Sequence, residues 1–367
     1  MPSEATDDCG RRIPLEGGSK SRKRAKIAGY RSPRNLYGNS SPCNCFQFLC
    51  SKSQEGYITI QLLFTPDLQA GITDTFHLIN TIRVSTNRLV QDVRNVVAAG
   101  ATDKVIEALY EMPSSAGGQN LRAFSAQTSA QHEAALANLW LFIVIGHYEV
   151  WADDLPVPNS DTGCQFPTRG FTSLSTKPGI GDVFDLLPLS RDMSQAYGTS
   201  LDSEQRLLGT RTNDAMTIYR LYKECRNSLA HSGGRASERV ENWSNETAAR
   251  AVDLHVDRDG NQIPLPYFRE NDRMTISITQ VRCLVSILFR LAVTIDAKIL
   301  LSTIGASEIT ARWHAQFGVS RVNVEPRKLR SIRWLTARLQ EAHIPIPNNP
   351  QSLIDYLVSQ ALVRELI

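Results

Sequence analysis

The stretch TNDAMTIYRLYKECRNSLAHSGG, residues 212–234, decides the fold that the sequence predicts. Its apolar residues recur at the i, i+3, i+4, i+7, i+11 spacing of one buried helix face: Ile218, Leu221, Tyr222, Cys225 and Leu229. Asn213 and Asp214 are residue types that cap a helix N-terminus. Gly233 and Gly234 are suited to a left-handed C-terminal end. We therefore expect one amphipathic helix, ended by the glycine pair, that buries one face in a bundle.

Three other segments show the same periodicity as this helix, Thr212–His231. They run from Leu68 to Met112 with a break at Gly100, from Ser125 to Trp151, and from Thr279 to Leu301. The second half of the Ser125–Trp151 segment is apolar almost all round, which is typical of a helix at the centre of a bundle. The sequence therefore predicts long helices that pack on one another.

Short β segments are expected beside these helices. Ala251–Phe268 is predicted to form a β-hairpin with Asp259–Gly260 at its turn. Alternation over 274–279 predicts a third short strand, and Gly56–Phe64 alternates loosely enough for a strand before the first helix. The predicted fold class is mainly α: a helical bundle with a small β-hairpin insertion, plus N- and C-terminal helical segments.

Changes in composition divide the chain into four predicted segments. Residues 1–55 form a basic leader without sustained hydrophobic periodicity, which predicts disorder. Residues 56–118 form an N-terminal helical segment that ends in a Pro-, Ser- and Gly-rich linker. Residues 119–303 form the bundle, and residues 304–367 form a small C-terminal module.

The C-terminal module contains two amphipathic stretches, Arg327–Leu339 and Ser352–Leu366. Two alternatives stay open for it. One is a helix-turn-helix reader of nucleic acid, with Arg330, Arg333 and Arg338 as basic candidates. The other is a small helical packing unit.

Composition and charge set the class of protein that we expect. Seven cysteines, an odd number at scattered positions, argue against a disulfide framework and favour a reducing cytoplasm. The N-terminus is polar and charged, and the longest apolar run, Leu139–Ile145, is shorter than the roughly 20 residues of a membrane span. The net charge of +3 permits a nucleic-acid partner without requiring one. We expect a cytoplasmic protein with no membrane partner.

The end of the Thr212–His231 helix carries three groups suited to cleaving a phosphodiester without a metal: Arg226, Asn227 and His231. Histidine can act as acid or base near neutral pH, and arginine binds phosphate with two parallel donors. Asn227 and His231 are four residues apart, so they share one helix face. The helix dipole at the C-terminus favours the imidazolium form of His231, which suits a general acid.

One chain offers one copy of this arrangement, which lacks a second acid–base group. A two-fold dimer that brings two such helix ends together would supply two histidines and two arginines. The competing interpretation is that His231 is only a histidine at a helix C-terminus, where it has a structural role.

The sequence Arg226-Asn227-Ser-Leu-Ala-His231 resembles the R-x(4–6)-H signature of the HEPN superfamily. Tyr148-Glu149, near the end of the earlier helix, is also similar to that superfamily, whose bundles often carry a Glu there. The resemblance covers residues 120–302. It implies a HEPN-like helical bundle, usually dimeric, and in many members a metal-independent ribonuclease of toxin–antitoxin, phage-defence or CRISPR systems.

The resemblance implies catalytic roles for Arg226 and His231 and a polar auxiliary role for Asn227. The His-x-Tyr variant, typical of HEPN toxins paired with a nucleotidyltransferase antitoxin, is absent because Gly233 occupies the Tyr position. This departure puts pairing with that antitoxin class in doubt. A neutralising antitoxin or defence-system partner is still expected, since an uncontrolled ribonuclease would harm its own cell.

Further residues are assigned supporting roles. Glu149 is expected to form a salt bridge with Arg226 or to tune His231, and a plain surface role is the alternative. Lys23 and Arg24 of the basic leader, together with Arg235, are candidate nucleic-acid contacts, with a solvated tail as the alternative for the leader. We predict no metal ligands and no cofactor.

The function expected from these residues is metal-independent endoribonuclease activity through attack of the RNA 2′-hydroxyl. The alternative is a catalytically silent HEPN-like dimer that binds RNA or a protein partner as a regulator. A purely structural helical scaffold is the third possibility.

Overall fold

A computed structural model of the chain describes residues 63–110, 120–155, 184, 187–198, 212–249, 254, 261–319, 321–324 and 332–365. These residues all lie in one of the two units into which the chain divides, Tyr57–Ile367. The other unit, Met1–Gly56, lies outside the described residues, as does the basic leader with Lys23 and Arg24.

The described part of the chain is mainly helical. Its helices include α1 (Thr65–Ala98), α2 (Asp103–Leu109), α3 (Leu121–Ala126), α4 (Ser129–Asp153), α5 (Thr212–His231), α6 (Glu238–Ala248), α7 (Ile278–Leu300), α8 (Thr303–Phe317), α9 (Ile332–Glu341) and α10 (Pro350–Ser359). A further helical segment covers 191–198.

The described β structure is a two-stranded parallel sheet near the C-terminus. Strand β1 (Val322–Val324) pairs with β2 (Val363–Glu365), with Val322 opposite Val363. The third strand predicted over 274–279 is wrong: residues 274–277 form no strand, and α7 begins at Ile278. One isolated antiparallel bridge, between Arg235 and Arg273, lies just before this segment. The turn of the predicted hairpin, Asp259–Gly260, lies outside the described residues, so the hairpin stays a prediction.

Helix α4 lies at the centre of the bundle. It packs against α1, α5 and α7, and its side chains Trp140, Leu141, Val144 and Tyr148 are almost fully buried. By length and composition α4 is apolar enough to cross a membrane, a property that core helices of soluble proteins share. Its central place follows from the apolar second half that the sequence predicts.

Local signals explain where several helices begin and end. The hydroxyl of Thr128 accepts a hydrogen bond from the Gln131 N–H, and the Gln131 side chain accepts one from the Thr128 N–H, forming a capping box at the start of α4. This cap separates α3 from α4, where the sequence predicts one helix from Ser125. Asn213 and Asp214 lie in the first turn of α5 and do not cap it, because the helix already begins at Thr212.

Glycines end two of the helices as predicted. Gly233 and Gly234 follow α5 with φ of 59° and 79°, and Gly100 follows α1 with φ of 84°. These left-handed conformations strain residues that carry a Cβ atom. The glycine pair therefore fixes where α5 ends.

The start of α1 is anchored by a carboxylate of α7. The backbone N–H groups of Leu63, Phe64 and Thr65 donate to Asp296 at 3.2, 2.7 and 2.7 Å, and the Thr65 hydroxyl donates at 2.9 Å. Asp296 is fully buried, and this burial raises its pKa to about 6 although the four hydrogen bonds favour the charged form. One side chain thus satisfies backbone donors that the start of a helix leaves unpaired.

The C-terminal helices pack onto the end of α7. Their buried side chains share one apolar cluster with Ala297 and Leu300 of that helix: Ile309, Trp313, Leu335, Leu339, Leu353 and Leu357. Arg338 pairs with Glu341 at 2.7 Å and lies 5.4 Å from the Phe317 ring, so its charge is committed within the module. Arg333 is exposed, and Arg330 lies outside the described residues. The predicted segment boundaries at 118 and 303 stay predictions.

Candidate functional site

Helix α5 positions the three residues singled out from the sequence. Its first sixteen residues are largely buried among α4, α6 and α7, which fixes the helix along most of its length. Arg226 and Asn227 are partly buried near its end, and His231 is exposed as its last residue. The motif therefore begins at the bundle interior and ends at the surface.

The motif residues project in different directions. Successive residues of an α-helix are rotated by about 100°, so Arg226 and His231 project about 140° apart and Asn227 and His231 about 40° apart. The side chains of Asn227 and His231 make no hydrogen bond or ion pair with any other described residue. Within one chain the fold places Asn227 near the histidine and turns Arg226 toward α4.

Glu149 of α4 is the partner of Arg226. The Nη2 of Arg226 donates to both carboxylate oxygens of Glu149, at 2.9 and 2.8 Å. Each of the two side chains is 24% exposed, so the pair lies at the edge of the bundle and within reach of solvent. This ion pair is the contact with Arg226 that the sequence analysis expects of Glu149. A supporting role of Glu149 in a reaction stays a prediction.

Two further α5 residues meet the same carboxylate. The Lys223 Nζ lies 2.7 Å from the Glu149 Oε1, and the Tyr219 hydroxyl donates to that oxygen at 3.5 Å. Burial and the neighbouring Glu149 charge raise the pKa of Tyr219 well above its usual value, so its hydroxyl stays protonated. Two cations and one carboxylate leave this cluster with a net charge of +1.

The sequence contains a signal for these additional partners. Tyr219, Lys223 and Arg226 are spaced i, i+4, i+7, which places them on one face of α5. Once Glu149 is placed opposite Arg226, the same face brings the other two within reach. Of these three residues, the motif itself contains only Arg226.

The Arg226 guanidinium is held at one end only. Its Nη2 is used by Glu149, while its Nε is buried without a hydrogen-bond partner. A buried donor without a partner costs about 1–3 kcal/mol. The Nη1 makes no hydrogen bond with a described residue and is not buried, so it is the donor that an oxyanion can reach.

The turn after His231 is tied to the segment before α7. Ala236 N–H donates to the Asp272 carbonyl at 2.8 Å, Asn271 N–H donates to the Ala236 carbonyl at 2.8 Å, and Met274 N–H donates to the Gly234 carbonyl at 2.9 Å. These bonds hold the glycine pair against residues 271–274, just before α7. The end of α5 is therefore a fixed corner of the bundle.

Arg235 lies in this turn and is exposed. Its Nη1 donates to the Asn271 carbonyl at 3.1 Å, so part of its guanidinium braces the turn. The other predicted nucleic-acid contacts, Lys23 and Arg24, lie outside the described residues. The predicted basic surface is thus visible only at Arg235.

Neither a metal cluster nor a reactive thiol lies beside the motif in the described residues. Across that part of the chain, no three His, Cys, Asp or Glu side chains are grouped to hold a metal ion. Burial raises the pKa of Cys225, the neighbour of Arg226, so it stays a protonated thiol. The groups at hand for chemistry are thus an exposed imidazole, an amide and a guanidinium oriented by a carboxylate.

No protein-family model, no curated protein and no solved structure matches this chain.

Proposed function

We propose that this chain is a metal-independent endoribonuclease of the HEPN type, acting in toxin or anti-phage defence. The observation that carries the proposal is the end of α5, where Glu149 orients Arg226 and His231 stands exposed before a fixed glycine turn. A permanent cation for the phosphate and an imidazole for proton transfer are the groups that metal-independent RNA cleavage needs.

The proposed reaction begins with the RNA 2′-hydroxyl. A base removes its proton, the 2′-oxygen attacks the adjacent phosphorus, and the P–O5′ bond breaks. An acid then gives the departing 5′-oxygen its proton. The products are a 2′,3′-cyclic phosphate and a 5′-hydroxyl end, so the atoms balance without water or metal. His231 performs one of the proton transfers, and Arg226 stabilises the charge on the phosphorane.

Glu149 serves this chemistry as a positioning residue. It binds one nitrogen of Arg226, which limits the directions in which the guanidinium can point. Lys223 keeps the cluster at a net +1, so it still attracts a phosphate. Without the lysine, the Arg226–Glu149 pair would be neutral.

A homodimer completes the proposed site. One chain offers a single exposed imidazole at this position, whereas the reaction needs both a base and an acid. A second copy placed about a two-fold axis would supply a second His231 and a second Arg226. RNA is the proposed substrate, and a neutralising antitoxin or defence-system protein is the proposed control.

The alternative is a catalytically silent dimer that binds RNA or a protein as a regulator. The observation that favours it is that Arg226 is already ion-paired and only about one-quarter exposed. A guanidinium neutralised by Glu149 has less charge to offer a phosphorane. The two proposals differ in one measurable outcome, cleavage.

The test is RNA cleavage by the purified full chain in EDTA. We expect wild-type protein to cleave single-stranded RNA and to leave cyclic phosphate ends, and His231→Ala to lose at least 100-fold in rate. His77→Ala, which removes an exposed histidine of α1, is the matched control and should cleave like wild type. Circular dichroism checks that both variants stay folded.

Two results would decide against the nuclease. Cleavage that persists in His231→Ala would remove the proposed acid–base residue. No cleavage by wild type, together with RNA binding that Arg226→Ala weakens, would establish the regulator in its place.

A further inference from the structure

A groove of about 560 Å³ lies beside the end of α5. It is bounded by the first half of α4, by the glycine turn and by residues 273–275, just before α7. The residues that line it include Gln127, Gln131, Asn138, Gly233, Gly234 and Arg273. Its volume falls within the roughly 300–1,000 Å³ of sites that take small molecules.

The groove reaches the last turn of α5. Leu229 and Gly233 both line it. His231 does not line it, because it is rotated by about 160° from Leu229 and projects from nearly the opposite face of the helix. An ideal Cβ atom at Gly233 would meet nothing within 4 Å, so the groove is open at this point. A ligand in the groove would therefore lie next to the exposed end of α5.

Amide groups dominate the polar lining of the groove on the α4 side. The Asn138 Oδ1 is buried and has no hydrogen-bond partner, which is costly unless a ligand supplies a donor. The terminal torsion of asparagine is broad, so a small rotation can turn this oxygen toward the groove. The Gln131 oxygen is engaged in the capping box, while the Gln127 side chain makes no hydrogen bond with a described residue.

A cation stands at the rim of the groove. Arg273 is exposed and makes no ion pair with any described residue. Its backbone is fixed by the bridge to Arg235, whose own guanidinium braces the turn. Arg273 is thus held in place while its charge remains available to an anion.

We propose that this groove binds one nucleotide of single-stranded RNA, with the base against the amides of α4 and a phosphate at Arg273. An amide offers a donor and an acceptor together, which matches the edge of a nucleobase, and a base shows that edge only when it is unpaired. That the bound nucleotide flanks the scissile phosphate rests on the proposed function; that the groove binds RNA does not.

The experiment measures RNA binding in the His231→Ala background, so that no cleavage can occur. The probe is a fluorescein-labelled single-stranded oligoribonucleotide, with the corresponding RNA duplex as a second arm. Arg273→Ala and Asn138→Leu are compared with Arg282→Ala and Asn95→Leu, which alter exposed residues outside the groove lining. Thermal melting shows which variants are folded.

We expect Arg273→Ala to weaken binding by about five- to tenfold and to lower the slope of log affinity against log salt by about one. Asn138→Leu should weaken binding by about tenfold, change the base preference and leave the salt slope unchanged. Both control variants should bind like the parent, and the duplex should bind more weakly. A 4-thiouridine in the oligonucleotide should crosslink within 127–138 or 273–275.

Several outcomes would overturn this inference. They are groove variants that bind like their controls, a duplex that binds as well as the single strand, crosslinks confined to other segments, or no RNA binding at all. Failure of the proposed function is distinguishable: a wild-type chain that never cleaves, but whose RNA binding depends on Arg273 and Asn138, keeps the groove and loses the nuclease.

Discussion

Two carboxylates hold helices together in this protein, and their partners differ in kind. Asp296 is fully buried and accepts only from neutral groups at the start of α1. Glu149 is partly exposed and faces two cations of α5. The first arrangement satisfies donors that water cannot reach. The second arrangement places two cations around one carboxylate and so keeps a net charge of +1. A net positive charge is what a site for an anionic substrate needs.

This contrast predicts that the two carboxylates affect different properties. Removal of Asp296 should change folding, since it leaves buried N–H groups without an acceptor. Removal of Glu149 should change function, because its partners can reach solvent when it is gone. Each prediction below tests one side of this difference.

The largest effect is expected from Asp296→Ala. Two buried backbone donors, one partly buried backbone donor and one hydroxyl lose their acceptor, and each unsatisfied buried donor costs about 1–3 kcal/mol. We expect the free energy of unfolding to fall by about 3 kcal/mol or more, measured by urea denaturation. Asp92→Ala, at an exposed aspartate of α1, should change it by less than about 0.5 kcal/mol. A loss below about 1 kcal/mol in Asp296→Ala would show that α1 does not depend on this anchor.

The second prediction concerns the pH dependence of stability. Burial raises the folded-state pKa of Asp296 from 3.8 to about 6, so the folded protein binds this proton more tightly than the unfolded chain. The proton-linked part of the contribution of Asp296 to stability is therefore fully present below pH 3.8 and is lost as pH rises through about 6, whereas the hydrogen bonds that it accepts are a separate contribution. The span of this change is roughly 3 kcal/mol.

Asp296→Asn isolates that contribution, because it removes the titrating group and keeps the size of the side chain. The unfolding free energy of wild type minus that of Asp296→Asn should fall as pH rises from 4 to above 6. Urea denaturation at a series of pH values measures it. A flat difference would mean that the carboxyl titrates alike in both states, and a rising difference would mean that hydrogen bonding outweighs burial.

The sequence predicts these two carboxylates unequally well. Helix α5 follows from periodicity and its glycine pair, whereas Glu149 is singled out by the HEPN resemblance, which leads to the expected salt bridge with Arg226. Both signals are local or depend on one helix pair. The Asp296 anchor joins residues more than 230 positions apart, and nothing in the sequence around Leu63 marks it.

Other features that the sequence does not predict also depend on contacts between segments far apart in the chain. Strands β1 and β2 are three residues each and pair in parallel across two helices, so no hairpin signal exists for them. The groove at the end of α5 is built from three separate segments and cannot be inferred from any one of them. The break between α3 and α4 is an exception: Thr128 and Gln131 have capping-box spacing, a local signal that the sequence analysis passed over.

The third prediction addresses Glu149 through Glu149→Gln. The change keeps the shape of the side chain, removes its charge and raises the cluster from +1 to +2, so RNA should bind more tightly while Arg226 loses its fixed orientation. Under the proposed nuclease we expect kcat to fall by about 10- to 100-fold and KM to fall or stay level. The free energy of unfolding should change by about 1 kcal/mol or less.

Glu133→Gln, at an exposed glutamate of the same helix, is the matched control and should leave both constants unchanged. A large loss of stability in Glu149→Gln would place Glu149 with Asp296 as a folding residue. Tighter RNA binding with no cleavage in either wild type or variant would favour the regulator.

The smallest effect is expected from Lys223→Met, which keeps the apolar stem of the side chain and removes the second cation. The Arg226–Glu149 pair then becomes neutral, and the cluster should attract RNA less strongly without losing the orientation of Arg226. We expect KM to rise two- to fivefold at low salt, kcat to stay level, and the difference in KM to shrink as salt is raised. The free energy of unfolding should change by less than about 1 kcal/mol, since Lys223 lies at the edge of the bundle.

Lys104→Met, at an exposed lysine of α2, controls for loss of one charge elsewhere. A KM difference that persists unchanged at high salt would mean that Lys223 acts by packing on Tyr219, whose ring centre lies 5.9 Å from its Nζ, and not by its charge.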